Sequence, residues 1–322
     1  MRIVLMGAGG FLGLRLAARL AAAGHIAGHP IDELVLSDLR PIRAPSAPAC
    51  RLSQVHGDLR DPLVLDALFA SEVDMVFHLA ATLTVDAEAD FRRGLETNVL
   101  ALVQLLERCR IQAAPPMLLF ASSIATFGGR LPTVVGDDVF QSPTTSYGTH
   151  KVIAELLLAD YSRHGFVDGR ALRLPIVVTH PGPASGSISD QVAALIREPL
   201  RGQRTTCRLA PDSRLVVSSV DKVIDSFLHL ATLPSQALPP SRVMNLPGLT
   251  VTPAEIAQAV ARHLPAGAHD PVDWRPDAQV QQIIDSWPKA FTSDRALALG
   301  FSSDVSAAAL VDSFLAHENP QA

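Results

Sequence analysis

The chain has 322 residues, 48% hydrophobic and 18% charged, with a net charge of −5. That composition supports a sizeable core in one large or two-lobed body and excludes a disordered chain. Its basic residues are scattered, which excludes a nucleic-acid stripe, and no apolar run is long enough for a membrane span.

Cys50, Cys109 and Cys207 are odd in number and far apart. They form neither a disulfide framework nor a metal-ligand spacing, so no metal is expected and the cysteines point to a reducing cytoplasm. Arg2 runs directly into a strand pattern, which does not read as a signal peptide.

Met1–Gly13 reads MRIVLMGAGGFLG. Ile3–Met6 is a short apolar run, expected as a buried parallel strand, and Leu14–Ala23 carries helical apolar spacing. Between them stand Gly7, Gly10 and Gly13 at three-residue intervals. Strand, glycine turn and helix in that order make a dinucleotide-binding unit. Gly7 allows the tight turn, Gly10 lets a pyrophosphate approach, and Gly13 lets helix and strand pack closely. The phosphates are then expected at the helix N-terminus. The spacing G-x-x-G-x-x-G departs from the commoner G-x-G-x-x-G.

Glu33–Ser37 reads as the second strand and ends at Asp38. An acidic residue there accepts hydrogen bonds from the adenosine ribose and opposes the extra phosphate of NADP, so NAD is the expected cofactor. Arg40 and Arg43 nearby weaken that contrast. Pro41–Ala49 is a proline-rich loop. Gln54–Asp61 (QVHGDLRD) reads as a third strand and turn, with Asp58 either touching the adenine or capping the next helix.

Asp74–Leu79 is the fourth strand, running into Ala80 and Ala81, whose small side chains let backbone lie against a cofactor. His78 within it reads as a satisfied core histidine. Ala87–Arg110 is expected as one long helical stretch, with Asn98 a polar residue on its apolar face that must find hydrogen bonds near a site. Met117–Ala121 is the fifth strand, followed by Ser122 and Ser123. Tyr147 and Lys151 are four apart on the next helix and share a face. A tyrosine is a poor base at neutral pH, but a nearby ammonium and a positively charged nicotinamide both favour phenolate. Such a phenol exchanges a proton with an alcohol while hydride moves to the ring, and a serine hydroxyl beside it holds the substrate oxygen.

Together MGAGGFLG, SDL, GDLRD, HLAA, ETNVLA, ASSIATFGG and YGTHK resemble the extended short-chain dehydrogenase/reductase family, which includes the nucleotide-sugar epimerases and dehydratases. The resemblance implies a doubly wound parallel (Rossmann-type) sheet with a smaller C-terminal substrate lobe and the active site between them. It also implies that the hydroxyl five positions before Gly128, that of Ser123, is catalytic together with Tyr147 and Lys151. Lys151 would contact the nicotinamide ribose, Asn98 would lie near the site, and Phe11, Leu12, Leu59, Leu79 and Pro175 would join the cofactor contacts.

Leu174–Gly182 resembles a family segment ending in Arg-Pro-Gly, with His180 at the Arg position as a candidate substrate residue. Ile196–Cys207 and Arg214–Val223 resemble an NAD-dependent branch that oxidises a four-carbon sugar acid at its 2-hydroxyl to the 2-keto acid. A sugar acid needs one or two cations for its carboxylate. Among Arg197, Arg201, Arg204, Arg208 and Arg214, the last is the first choice because it precedes a strand in the substrate lobe, and most of the five are expected to be solvated. A transiently oxidising epimerase or dehydratase and a non-catalytic cofactor sensor are the alternatives. Ile124 and Ala125 in place of an acidic pair argue against the dehydratase.

The remaining expectations are structural. Residues 1–176 form the dinucleotide-binding domain and 177–322 mainly the substrate lobe, with about 214–246 returning to the main sheet. Val220–Leu233 is a helix, Arg242–Leu246 a strand, Pro253–Leu264 a helix capped by Thr252, Ala266–Pro276 a loop, and Ser303–His317 a terminal helix. The resemblance implies a homodimer paired through Asp86–Arg110 and Ser146–His164.

Overall fold

Seven strands assemble into the main sheet: β1 (Arg2–Met6), β2 (Glu33–Asp38), β3 (Arg51–His56), β4 (Met75–His78), β5 (Met117–Ser123), β6 (Asp168–Leu174) and β7 (Val243–Asn245). Their order is β7-β6-β5-β4-β1-β2-β3, and the β1–β2, β2–β3, β1–β4 and β4–β5 pairs are parallel. The structure is a computed structural model and describes residues 1–178, 187–265 and 270–318. Residues 3–6 of β1 and 34–36 of β2 are almost fully buried, as strands covered on both faces must be. The chain first builds outward from β1 through β2 to β3, then returns to β1's other side with β4. That reversal makes a switch point at the C-terminal ends of β1 and β4, where open α/β sheets hold ligands.

These strands fall in the first of two compact units, which comprises Met1–Thr126, Thr145–Arg173 and Ile224–Met244. Its core joins Val4, Val76 and Leu118 of the sheet to Leu102, Leu105 and Leu158 of the helices. Phe227 of the Val220–Thr232 helix meets Phe77 edge-on at 6.5 Å.

In this unit two elements differ from the sequence reading. The third strand is Arg51–His56, so Asp58 lies in the loop beyond it, and Asp61 caps the Pro62–Leu68 helix through a 3.0 Å bond from Leu63 N–H. The stretch expected as one helix from Ala87 is instead Thr84–Ala89, Phe91–Leu95, a π-turn at Glu96–Leu100, and Ala101–Arg110. Asp90 breaks it: its side chain accepts from Arg93 N–H and starts a new helix. The π-turn carries Asn98, and such single turns recur at functional sites.

The second unit comprises Phe127–Thr144, Leu174–Val223 and the chain from Asn245 onward. Leu215–Ser219 is the middle strand of a three-stranded sheet, parallel to Ile176–Val178 and antiparallel to Leu249–Val251. The expected return of 214–246 to the main sheet is therefore made by β7 alone, while 215–219 stays in this smaller sheet. Val272–Trp274 pairs with Thr205–Cys207, so part of the expected 266–276 loop is strand. Thr252 and Glu255 form a reciprocal capping box on the Pro253–Ala261 helix, which ends short of Leu264. The last helix is Ala307–Glu318, not Ser303–His317. Among the described residues no helix is long and apolar enough to cross a membrane.

Candidate active site

At the switch point, Gly7 has φ +83°, and a Cβ on it would lie 2.7 Å from Ala80 N. Only glycine allows both the left-handed turn and this approach of the β4 end. A Cβ on Gly13 would lie 2.1 Å from the Gly7 carbonyl oxygen, so the helix packs on the turn backbone to backbone. Gly10 is the N-cap of the Phe11–Ala23 helix, with no side-chain cap and no acidic residue in the first turn. A Cβ there would meet only the Gly7 oxygen, at 3.2 Å. An uncapped positive helix end beside bare glycine backbone fits a pyrophosphate. Phe11 and Leu12, half-buried, form the first turn of that helix.

Asp38 closes the cradle. Its carboxylate accepts Gly9 N–H at 2.9 Å and Arg40 N–H at 3.2 Å. A Cβ on Gly9 would lie 2.9 Å from the Asp38 carboxyl carbon, so Gly9, absent from the sequence reading, is what lets the acidic side chain reach the turn. Its signal was the middle glycine of GAGG, outside the three-residue spacing. Arg40 and Arg43 are exposed.

Asp58 caps no helix; it is gripped by Arg60, whose Nη2 donates at 2.7 Å and whose Nε donates to both carboxylate oxygens. This guanidinium lowers the Asp58 pKa. Arg60 also donates to Glu96 of the π-turn at 3.1 Å. Asn98 accepts Thr82 N–H at 2.8 Å and donates to the Thr82 carbonyl at 2.9 Å, pinning the backbone just after Ala80–Ala81. Leu59 and Ala80 pack against the core, Leu79 and Ala81 are half-buried, and Pro175, in the second unit, is buried near Gly248.

Ser123 ends β5, and the Ser146–Arg163 helix begins at the Thr145 cap. The Ser123 side chain lies where it favours the Tyr147 phenolate, and its Oγ accepts Ala125 N–H at 3.1 Å. Ser122, by contrast, is fully buried and donates to Glu155. Lys151 Nζ donates to the Ala121 carbonyl at 2.8 Å and lies 4.4 Å from the Phe120 ring centroid and 5.5 Å from that of Tyr147. Burial dominates both titrations. It pushes Tyr147 up to about 12, against the lowering influence of the Ser123 side chain, and Lys151 down to about 7, against the charge of Glu155. Burial thus disfavours both the phenolate and the ammonium, and a cation brought beside Tyr147 would favour its phenolate.

His78 is buried, but Nδ1 has no hydrogen-bond partner, so it is not the satisfied core histidine that its strand suggested. Burial, with Lys151 nearby, lowers its pKa to about 3.

His180 lies outside the described residues. Arg197 is buried and bound to Asp190 at 2.8 Å and Glu198 at 2.7 Å, which commits it to internal pairing. Arg208 pairs with Asp277 at 3.0 Å. Arg201, Arg204, Arg208 and Arg214 are all exposed, and Arg214 immediately precedes the Leu215–Ser219 strand. No cluster of potential metal ligands occurs among the described residues.

The NAD dependent epimerase/dehydratase family model matches residues 3–230. D-erythronate dehydrogenase from Cupriavidus necator is 42% identical over 308 residues, covering 95% of each chain. The enzyme of the same name from Haemophilus influenzae is 37% identical, covering 99% of this chain and all of that one. The crystal structure of a nucleoside-diphosphate-sugar epimerase from Agrobacterium tumefaciens superposes with a TM-score of 0.93 at 31% identity, over 99% of this chain and 94% of that one. The four-carbon sugar-acid branch expected from 196–207 and 214–223 is the one those two dehydrogenases represent. The chain belongs to the NAD-dependent epimerase/dehydratase family and is an NAD-dependent oxidoreductase.

Proposed function

We propose that the chain oxidises the 2-hydroxyl of a small sugar acid, D-erythronate in the first instance, to the 2-keto acid. The observation that carries the chemistry is the buried Tyr147, with Lys151 one turn along the same helix face and Nζ 5.5 Å from the Tyr147 ring centroid, and a Ser123 side chain that acts to lower the phenol's pKa. The substrate rests on the 42% and 37% identity to D-erythronate dehydrogenases.

NAD, when bound, would supply the acceptor for the hydride that leaves the carbinol carbon. Ser123 holds the substrate hydroxyl, and Tyr147 accepts its proton as general base. Lys151 as an ammonium stabilises the phenolate and holds the nicotinamide ribose. The glycine turn and helix N-terminus hold the pyrophosphate, Asp38 the adenosine ribose, and Asp58 with Leu59 the adenine. Arg214 clamps the carboxylate, and His180 is the second candidate substrate residue.

The test is NADH formation with D-erythronate at alkaline pH. Wild type turns over, and Tyr147→Phe loses about 10²–10⁴-fold in kcat. A Tyr147→Phe enzyme at full rate ends the general-base assignment. A nucleotide-sugar epimerase is the second reading, favoured by the 31% identity to the Agrobacterium structure. It requires tightly held NAD and no net NADH, so the same assay separates the two.

A further inference from the structure

We propose that Glu155 is a positioning residue for this reaction: its carboxylate, locked by Arg173, anchors the serine pair and supplies the negative charge that keeps Lys151 an ammonium. The inference rests on the Tyr147–Lys151–Ser123 reading above.

Tyr147, Lys151 and Glu155 are spaced four apart, so they line one stripe of the Ser146–Arg163 helix, and all three are at most 9% exposed. Arg173 of β6 grips the Glu155 carboxylate: Nε donates to its two oxygens at 3.0 and 3.2 Å, and Nη2 donates at 2.8 Å. Ser122 donates its hydroxyl to the same carboxylate. Anchoring Ser122 fixes the backbone from which the adjacent Ser123 reaches Tyr147.

The surroundings of Lys151 explain why a charge is needed there. From β5 it meets the Phe120 ring and the Ala121 carbonyl; from β4, the neutral His78; from its own helix, Tyr147, His150 and Glu155. Glu155 is the acidic group among them, and its charge opposes the desolvation of the amine. A buried ion pair is seldom the most stable filling for such a space, since apolar side chains of similar volume often serve as well. The pair therefore has a reason beyond packing, and Lys151 and Ser122 supply it.

The chain has three lysines, Lys151, Lys222 and Lys289, so side-chain NMR with ¹³C-labelled lysine follows Lys151 without substrate or turnover. Its signal is identified by loss in Lys151→Met. Glu155→Gln keeps an acceptor for Ser122 but removes the charge. Because it leaves the Arg173 charge uncompensated, Glu155→Gln/Arg173→Met is measured beside it. Both variants are expected to lower the Lys151 titration midpoint by about one pH unit or more, and the alkaline limb of kcat/KM moves acidward with it. Ser122→Ala is expected to lower kcat without moving the midpoint. A Lys151 midpoint that stays in place, or rises, in both Glu155 variants overturns the proposal, as does failure of both to fold, which makes the pair a folding element only. An active Tyr147→Phe overturns the reading beneath it, whatever Lys151 does.

Discussion

The glycine cradle and the Tyr147 wall solve opposite problems. The cradle is made by leaving side chains out: Gly7, Gly9 and Gly13 each stand where a Cβ would strike a neighbour within 3 Å. The wall is made by forcing titratable side chains in, with Tyr147, Lys151, Glu155 and His78 all buried around the end of β5. Disturbing the first should act on geometry and cofactor affinity at any pH. Disturbing the second should act through protons and so appear as pH dependence.

The largest effect is expected at Gly13. Alanine there puts a methyl group 2.1 Å from the Gly7 carbonyl oxygen and 2.7 Å from Ala8 Cα, and backbone cannot yield as a flexible side chain does. Gly13→Ala should weaken NAD binding about 100-fold, roughly 3 kcal/mol, and lower stability by about 1–3 kcal/mol. Calorimetric titration with NAD and a thermal melt measure the two. Near-normal affinity would mean that the turn relaxes and that close packing there is not what holds the cofactor.

Asp38 belongs to both regions, being a charge placed by a glycine. Asp38→Asn preserves the shape but loses the charge at the bonds from Gly9 and Arg40 N–H. NAD affinity should fall about tenfold, the scale of one charged hydrogen bond. NADP, no longer repelled, should fall less or improve. Equal losses for both cofactors would remove Asp38 as the selecting residue.

How much of each region was legible follows from the same contrast. Gly7, Gly10 and Gly13 are dictated by local backbone, so a strand–turn–helix pattern reveals them. Asp38 is legible because a strand end fixes its distance from the turn. Tyr147 and Lys151 are legible through helical spacing. Their partners are not: Arg173 sits 18 residues beyond Glu155, on a strand rather than the helix, and only the order of the main sheet brings it there. Arg60 was hidden in the same way, since its second partner, Glu96, lies in a π-turn that helical periodicity cannot signal. The smaller sheet was missed because Leu215–Ser219 reads as any buried strand, and periodicity says nothing about which sheet receives it.

The smallest effect, and the most diagnostic of the wall, concerns His78. Burial and then the nearby Lys151 charge lower its pKa to about 3, from about 6.5 in an unfolded chain. Between those values the unfolded chain binds a proton that the folded chain refuses. This contribution to stability is therefore complete above pH 6.5 and is lost as pH falls through the window. Lys151 contributes in a separate window: its amine, lowered to about 7 by burial, makes folding more favourable as pH rises from there towards the unfolded value of about 10.4. Urea unfolding at pH 7 and pH 5 thus isolates the histidine. Wild type should lose about 1–2 kcal/mol more than His78→Gln over that interval, and glutamine also offers groups to the space where Nδ1 now lacks a partner. Parallel losses in the two proteins would mean that a proton reaches His78 in the folded state. The wall would then be wetter than its burial implies, and the contrast with the glycine cradle would narrow to geometry alone.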